Sequence, residues 1–168
     1  MKSGFATVSS FVFVFSIACF SASVAREGWR TEREPTFGFS YSYPEHLFNE
    51  VGGEDRPSFH YFESAQSDAK FLVGAWDNEK EDTPDSFKRW LTANAEDYED
   101  LTYRPRGRSW FVLSGYRGDQ IYYEKVMFSC GGRVVNILAV AYPVASRRIF
   151  DPVVERMEDR FRPSRQCS

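Results

Sequence analysis

Residues that carry catalytic and metal chemistry are scarce in this sequence. It contains two histidines, His46 and His60, and three cysteines among 168 residues. It has no G-x-S-x-G stretch of the kind that exposes the nucleophile of many serine hydrolases. The cysteines show neither the C-x-x-C redox spacing nor a zinc-ligand spacing, and no Gly-rich segment follows a strand and opens a helix as a phosphate cradle would. The sequence therefore predicts no catalytic residues, no cofactor and no metal site.

An excess of positive charge is also absent. The 21 lysines and arginines are nearly balanced by 24 aspartates and glutamates, and the formal net charge is −3 at pH 7. Because nucleic-acid binding needs a basic stripe on the surface, this composition argues against a nucleic-acid partner. Beyond the N-terminus the sequence contains no second long apolar run, so we expect no membrane span after signal cleavage.

The N-terminus has the pattern of a secretory signal. Residues 1–4 carry one positive charge, residues 5–20 carry no charge, and small residues precede a predicted cut after Ala25. This order of regions predicts that 1–25 is a cleaved secretory signal peptide and that the mature protein is periplasmic or secreted. Two alternatives stay open, a retained signal anchor and a lipoprotein with its lipid on Cys19.

Two cysteines, Cys130 and Cys167, follow the predicted cut. An exported protein meets an oxidising compartment, so this pair predicts one disulfide bond. The strand expected after Cys130 travels about 30 Å away, and the helix and tail that follow it are long enough to bring the chain back.

The rest of the chain reads as one α+β domain at 37–168 after a polar leader at 26–36. Period-two alternation and turn residues mark the strands. The predicted strands are 37–43, 58–63, 70–76, 101–105, 109–115, 119–129 and 133–142. A Gly131-Gly132 pair between the last two predicts a hairpin, since the favoured tight turns need positive φ.

Helical periodicity occurs twice. The first helix is predicted over 83–96, with Thr83 as its cap. The second is predicted over 152–161, with Asp151 as its cap and Pro152 at the first position. We therefore expect an antiparallel sheet of about six to seven strands packed with two helices, in the order βββαββββα.

This order resembles the PsbP-like superfamily, which includes bacterial periplasmic DcrB-type proteins and mycobacterial lipoproteins of the LpqN type. The resemblance rests on the aromatic strand Phe37-Gly38-Phe39-Ser40-Tyr41-Ser42-Tyr43-Pro44 and on the stretch from Tyr123 to Tyr142 followed by a helix ending at Phe161. It covers most of residues 37–162. It implies an α/β/α-like sandwich around an antiparallel sheet and an accessory or binding role without catalysis, as in the plant members that assist a manganese cluster. No residue of this chain matches a functional position of those relatives.

Aromatic side chains are the feature that points to a binding site. Stacking and hydroxyl bonding could hold a sugar or a peptide in a groove. The candidate lining residues are Trp76, Trp110, Tyr122 and Tyr123. The alternative is that these side chains pack the core and the strands.

From the sequence we expect an exported, soluble, non-catalytic binding or accessory protein of the cell envelope. Its partner would be an unidentified envelope protein or a small ligand. The alternative is a small envelope enzyme of the hydrolase type that uses His46 or His60 with a carboxylate. A histidine that lined a concave pocket beside a carboxylate would favour this alternative.

Overall fold

The computed structural model describes residues 28–53, 56–94 and 100–167. The predicted signal peptide at 1–25 lies outside these ranges, as does the predicted end of the first helix at residue 96. Within the described ranges, no helix is long and apolar enough to cross a membrane.

The chain begins with a two-stranded antiparallel hairpin, β1 (Trp29–Arg33) and β2 (Ser40–Pro44). The turn between the strands is closed by Glu34, whose buried carboxylate accepts hydrogen bonds from the backbone N–H groups of Thr36 and Phe37 at 2.8 and 2.6 Å. A strand therefore lies inside the segment expected to be a polar leader. The period-two pattern missed it because four of its five residues, Arg30 to Arg33, are polar, so no apolar alternation marks the strand.

Seven further strands form one antiparallel sheet. In chain order they are β3 (Asn49–Glu50), β4 (Phe59–Glu63), β5 (Lys70–Asp77), β6 (Asp100–Tyr103), β7 (Trp110–Arg117), β8 (Gln120–Ser129) and β9 (Val134–Pro143). Across the sheet the order is β3-β4-β5-β9-β8-β7-β6, so β9 lies in the middle. Gly131 and Gly132 turn the chain between β8 and β9 with φ of 71° and 96°. The predicted antiparallel sheet is thus confirmed, with β1 and β3 in addition to the expected strands.

The two helices, α1 (Pro84–Asn94) and α2 (Arg147–Arg160), pack on opposite faces of this sheet. On what we term the α1 face, Phe87 packs against Phe111, Val126 and Val135. On the α2 face, Met157 belongs to the larger core. The β9 side chains in this core, such as Val134 and Leu138, alternate along the strand with those on the α1 face. Successive strand residues point to opposite faces, so β9 supplies apolar side chains to both layers.

The aromatic strand β2 lies in the second layer and is not an edge of the main sheet. The ring of Tyr43 lies 4.6 Å from the ring of Phe62 in β4, and Tyr41 lies 6.0 Å from the same ring. The aromatic face expected from the sequence therefore packs onto the α2 face of the sheet. This hairpin and α2 together cover that face.

Helix α2 begins earlier than predicted, at Arg147 instead of Pro152. Pro152 lies inside the helix, where it removes one backbone hydrogen bond. The additional turn is stabilised by Phe150, which is 2% exposed and packs on Tyr142 and Phe48 at 5.6 and 5.8 Å between ring centroids. Tertiary packing here outweighs the local start signal of Asp151 and Pro152, and the prediction of Asp151 as the cap is wrong.

The predicted disulfide bond joins Cys130 to Cys167, with the two Cα atoms 5.4 Å apart. Cys130 lies at the turn after β8, and Cys167 lies in the tail that follows α2. On its way the tail pairs with β2, where Ser40 and Arg162 form an isolated bridge. The C-terminal tail is therefore bound to both layers of the protein.

Candidate ligand-binding face

Helix α1 covers only part of its face of the sheet. Its 11 residues extend about 16 Å at 1.5 Å per residue, whereas seven strands at about 4.8 Å spacing make a sheet about 29 Å wide. The helix packs over β7 and β8. Among the described residues, no second helix lies on the α1 face over β4 and β5.

Three rings follow one another on this part of the face and form what we call the aromatic row: Tyr61, Phe59 and Trp76. The centroids of Phe59 and Tyr61 are 6.4 Å apart and those of Phe59 and Trp76 are 5.8 Å apart, and each pair of ring planes meets at 22°. All three side chains are partly exposed. They present a near-parallel aromatic surface about three rings long.

Gly74 determines where the central ring of the row lies. It is the cross-strand partner of Phe59, and a Cβ at this position would come within 2.5–2.8 Å of three carbons of the Phe59 ring. The ring therefore occupies the space above the glycine backbone. A glycine inside a strand commonly marks such a close approach.

The groove above the aromatic row has a volume of about 740 Å³ and a charged rim. The guanidinium carbon of Arg56 lies 5.6 Å from the Phe59 ring centre, and the ammonium of Lys80 lies 5.7 Å from the ring of Trp90. Aromatic floors with polar edges are typical of ligand sites in proteins. Stacking on the rings and hydrogen bonding at the rim are the interactions that this arrangement can offer.

The charged loop after β5 is held in place by Asn78. Its Nδ2 donates to the carbonyl oxygens of Asp82 and Gly132, both at 2.8 Å, and its Oδ1 accepts from the N–H of Asp82 at 3.0 Å. This network fixes one wall of the groove. In the described part of the chain, no group of three or more His, Cys, Asp or Glu side chains is placed to hold a metal ion.

The four residues predicted to line a groove fall on opposite faces of the sheet. Trp76 belongs to the aromatic row, and Tyr122 lies on the same face in a neighbouring groove of about 380 Å³. Trp110 pairs across the strands with Met127, on the α2 face, and Tyr123 packs into the core beneath α2. Tyr122 and Tyr123 separate because they are adjacent in one strand.

Sequence reasoning missed Phe59, Tyr61 and Gly74 as members of the site. The signal was present: Phe59 and Tyr61 share one parity in β4, and Gly74 interrupts an otherwise apolar strand. The pairing of β4 with β5 was needed to show that the glycine lies under the ring.

The two histidines lie in unlike places. His46 is exposed in the loop after β2. Nδ1 of His60 lies 2.8 Å from a carboxylate oxygen of Glu50, but its Nε2 is buried. The ring lies 5.6 and 6.4 Å from the rings of Tyr41 and Phe39, beneath the hairpin. A carboxylate thus accompanies His60, while the nitrogen that would have to meet a substrate faces the core.

Comparison with solved structures shows a PsbP-like fold. The chain is similar to the solution structure of cyanobacterial PsbP (CyanoP) from Synechocystis sp. PCC 6803, with a TM-score of 0.58 and 12% identity over 84% of this chain and 95% of that one. It is also similar to a crystal structure from Bacteroides thetaiotaomicron, with a TM-score of 0.52 and 15% identity over 84% of this chain and 50% of that one. No protein-family model and no curated protein matches the sequence.

At these identities the likeness establishes the fold alone. The α+β, PsbP-like architecture expected from the order of elements is confirmed. The closer kinship with DcrB-type and LpqN-type proteins stays a prediction.

Proposed function

We propose that this chain is an exported, non-catalytic binding or accessory protein of the cell envelope that holds its ligand or partner on the aromatic row. The observation that carries the proposal is the placement of Tyr61, Phe59 and Trp76, partly exposed and near-parallel, beside α1. Partly exposed aromatic side chains that contact one another are common in recognition surfaces, because large rings offer contact area at low entropic cost.

Export is supported by two independent features. The N-terminal sequence has the regions of a secretory signal in the expected order. The disulfide between Cys130 and Cys167 is the kind of bond that persists in an oxidising compartment. Cleavage after Ala25 and the periplasmic or secreted location are part of this proposal.

A role without catalysis is supported by the surroundings of His60. A general base must reach the proton that it removes, and Nε2 of His60 is buried beneath the hairpin. The resemblance to the PsbP-like superfamily implies an accessory role as well, although a shared fold does not fix a shared function.

Site-specific photocrosslinking in the native envelope tests the proposal. A photoreactive phenylalanine analogue at Tyr61 should capture one ligand or partner. The same analogue at Tyr103, which is 57% exposed on the edge strand β6, should not capture it. Addition of Trp76→Ala should remove the adduct at Tyr61. Equal capture at both positions, or none at either, would contradict the aromatic row as the binding surface.

The hydrolase alternative rests on the 2.8 Å contact between His60 and Glu50. It requires the hairpin to move away from Nε2. Hydrolysis of generic ester or peptide substrates by the mature protein, lost in His60→Gln and retained in His46→Gln, would establish it. Turnover that is absent, or equal in both variants, would remove this alternative.

A further inference from the structure

The ring of Phe59 lies with one face on the backbone of Gly74. A Cβ added to Gly74 would lie 2.5, 2.7 and 2.8 Å from three consecutive ring carbons, Cδ1, Cε1 and Cγ. Distances so nearly equal place this Cβ over the ring face, because an approach to the ring edge would leave the second and third carbons distinctly farther away than the first. Since Cβ atoms point out of the sheet, the opposite face of the ring points away from the sheet.

Tyr61 and Trp76 extend this outward face on both sides. Tyr61 follows Phe59 by two residues in β4, and their ring centroids are 6.4 Å apart, close to the advance of about 6.8 Å that two strand residues make. Trp76 follows Gly74 by two residues in β5, and its ring centroid lies 5.8 Å from that of Phe59. Both rings tilt by only 22° from the plane of Phe59. The aromatic row is therefore a flat platform of ring faces and not a cage around a small ligand.

Polar side chains border the platform. The guanidinium carbon of Arg56 lies 5.6 Å from the centre of the Phe59 ring, beyond the contact distance of about 3.5–4.0 Å, so it flanks the ring without resting on it. The rim of the groove also includes Lys80, Glu79 and Asp82. Side chains of both signs thus offer hydrogen-bond donors and acceptors beside the ring faces.

We propose that the ligand of the aromatic row is a glycan, a chain of β-linked pyranose units that stacks on the three rings. This inference rests on the proposed function, because it names the ligand class of the same surface. The C–H groups of a glucose-like unit form two flat apolar faces, and its hydroxyls project around the perimeter. The faces match aromatic rings, and the hydroxyls, which both donate and accept, match a rim with charges of both signs. Binding of an uncharged chain does not depend on the net charge around the groove, and the three rings lie wholly within the described residues.

A peptide fits this platform less well. A polyproline helix advances about 9.3 Å between residues on the same side, whereas successive rings of the row are 6.4 and 5.8 Å apart. An extended peptide gains its affinity by pairing with the edge of a sheet, but the row lies on a sheet face, over two strands that already pair with each other. Ring faces leave the backbone groups of such a peptide without partners.

Calorimetric titration of the mature chain with cellohexaose, chitohexaose and maltohexaose tests this inference. Cellohexaose and maltohexaose contain the same sugar, but the β-linked chain is extended and flat whereas the α-linked chain curls. We expect saturable binding of at least one of the two β-linked chains, cellohexaose and chitohexaose, with a Kd about tenfold below that for maltohexaose. Tyr61→Ala should raise this Kd by roughly three- to tenfold, because one of three stacking contacts is lost. Tyr61→Phe keeps the ring and should change the Kd less than about twofold.

Tyr103→Ala is the matched control, since it removes a tyrosine that is 57% exposed on β6, outside the row. It should leave the Kd unchanged, and thermal unfolding must show that the variants fold. The comparison of the two linkages needs no variant. Equal binding of maltohexaose, equal weakening in Tyr61→Ala and Tyr103→Ala, or no binding of either β-linked chain would overturn the glycan. If no β-linked chain binds but the photoreactive analogue at Tyr61 captures a protein, the aromatic row stays the binding surface and only the glycan fails. The absence of both would contradict both proposals.

Discussion

The side-chain oxygen of Asn136 accepts two hydrogen bonds from Ser164, one from its backbone N–H at 2.8 Å and one from its hydroxyl at 2.7 Å. The amide nitrogen of Asn136 donates to the carbonyl of Met127 at 3.1 Å and to the hydroxyl of Ser129 at 3.0 Å. Asn136 is fully buried in the central strand, and Ser164 is 4% exposed in the tail. A single amide therefore connects the C-terminal tail to the middle of the sheet.

Replacing Asn136 by leucine should destabilise the protein by about 2–4 kcal/mol, because several buried polar groups lose their partners at once. Ser164→Ala should cost less, about 1 kcal/mol, since the backbone N–H of residue 164 keeps its acceptor. Urea unfolding of the two variants measures the difference. Equal stability of Asn136→Leu and the unchanged protein would show that the tail is not bound by this amide.

The disulfide is the second attachment of the tail. It closes a loop with a sequence separation of 37, for which the chain-entropy treatment gives a stabilisation of about 3–4 kcal/mol. Cys130→Ser with Cys167→Ser should lower the free energy of unfolding by this amount. A reducing agent should have the same effect on the unchanged protein and none on the double variant. If a reducing agent lowered the free energy of unfolding of both proteins equally, its effect would not come from this disulfide.

Much of the main sheet could be predicted because its signals are local. Thr83 caps α1 as expected, and the Gly131-Gly132 turn joins the two long strands. Asn136 stands in an otherwise apolar strand, but the sequence does not show which groups its amide binds. Its partner, Ser164, is brought to it only by the folded tail.

The parts that sequence reasoning missed depend on contacts between distant segments. The leader forms β1 because it pairs with β2 in an antiparallel register. In this register the hydroxyl oxygens of Thr31 and Ser42 lie 2.8 Å apart. In the candidate site, the separation of Tyr122 from Tyr123 is a local matter, because adjacent residues of one strand point to opposite faces. The grouping of Trp76 with Phe59, by contrast, requires the order of the strands.

Gly74→Ala should disrupt the aromatic row while leaving the fold intact. The new Cβ would overlap the ring of Phe59, and this ring can move because it ends a side chain, so we expect a loss of about 1–2 kcal/mol. NMR contacts between Phe59 and Trp76 should weaken, and crosslinking through Tyr61 should fall.

Gly118→Ala is the control for this substitution. Gly118 has φ of 54° and open space around its Cα, so alanine there strains the backbone by about 1–2 kcal/mol without reaching the aromatic row. Unchanged contacts of Phe59 in Gly74→Ala would show that the glycine does not determine the position of the ring.

Two tyrosines beside α2 make stability sensitive to alkaline pH. Burial raises the pKa of Tyr123, and the charge of Glu158 adds to the shift. Burial also raises the pKa of Tyr142, whose hydroxyl donates to Asp151 at 2.9 Å. In the unfolded chain a tyrosine titrates near pH 10. The folded state therefore retains these protons at a pH at which the unfolded state has released them.

The contribution of these tyrosines is fully present below about pH 10 and is lost as the pH rises above the unfolded value, by up to about 1.4 kcal/mol per pH unit for each proton. We expect the free energy of unfolding to fall more steeply above pH 10 in the unchanged protein than in Tyr123→Phe, because phenylalanine has no proton to lose. Tyr103→Phe, at an exposed position, should keep the steep slope. Urea unfolding at pH 9, 10 and 11 measures all three proteins. The same slope for Tyr123→Phe and Tyr103→Phe would show that burial of the Tyr123 hydroxyl does not control the alkaline transition.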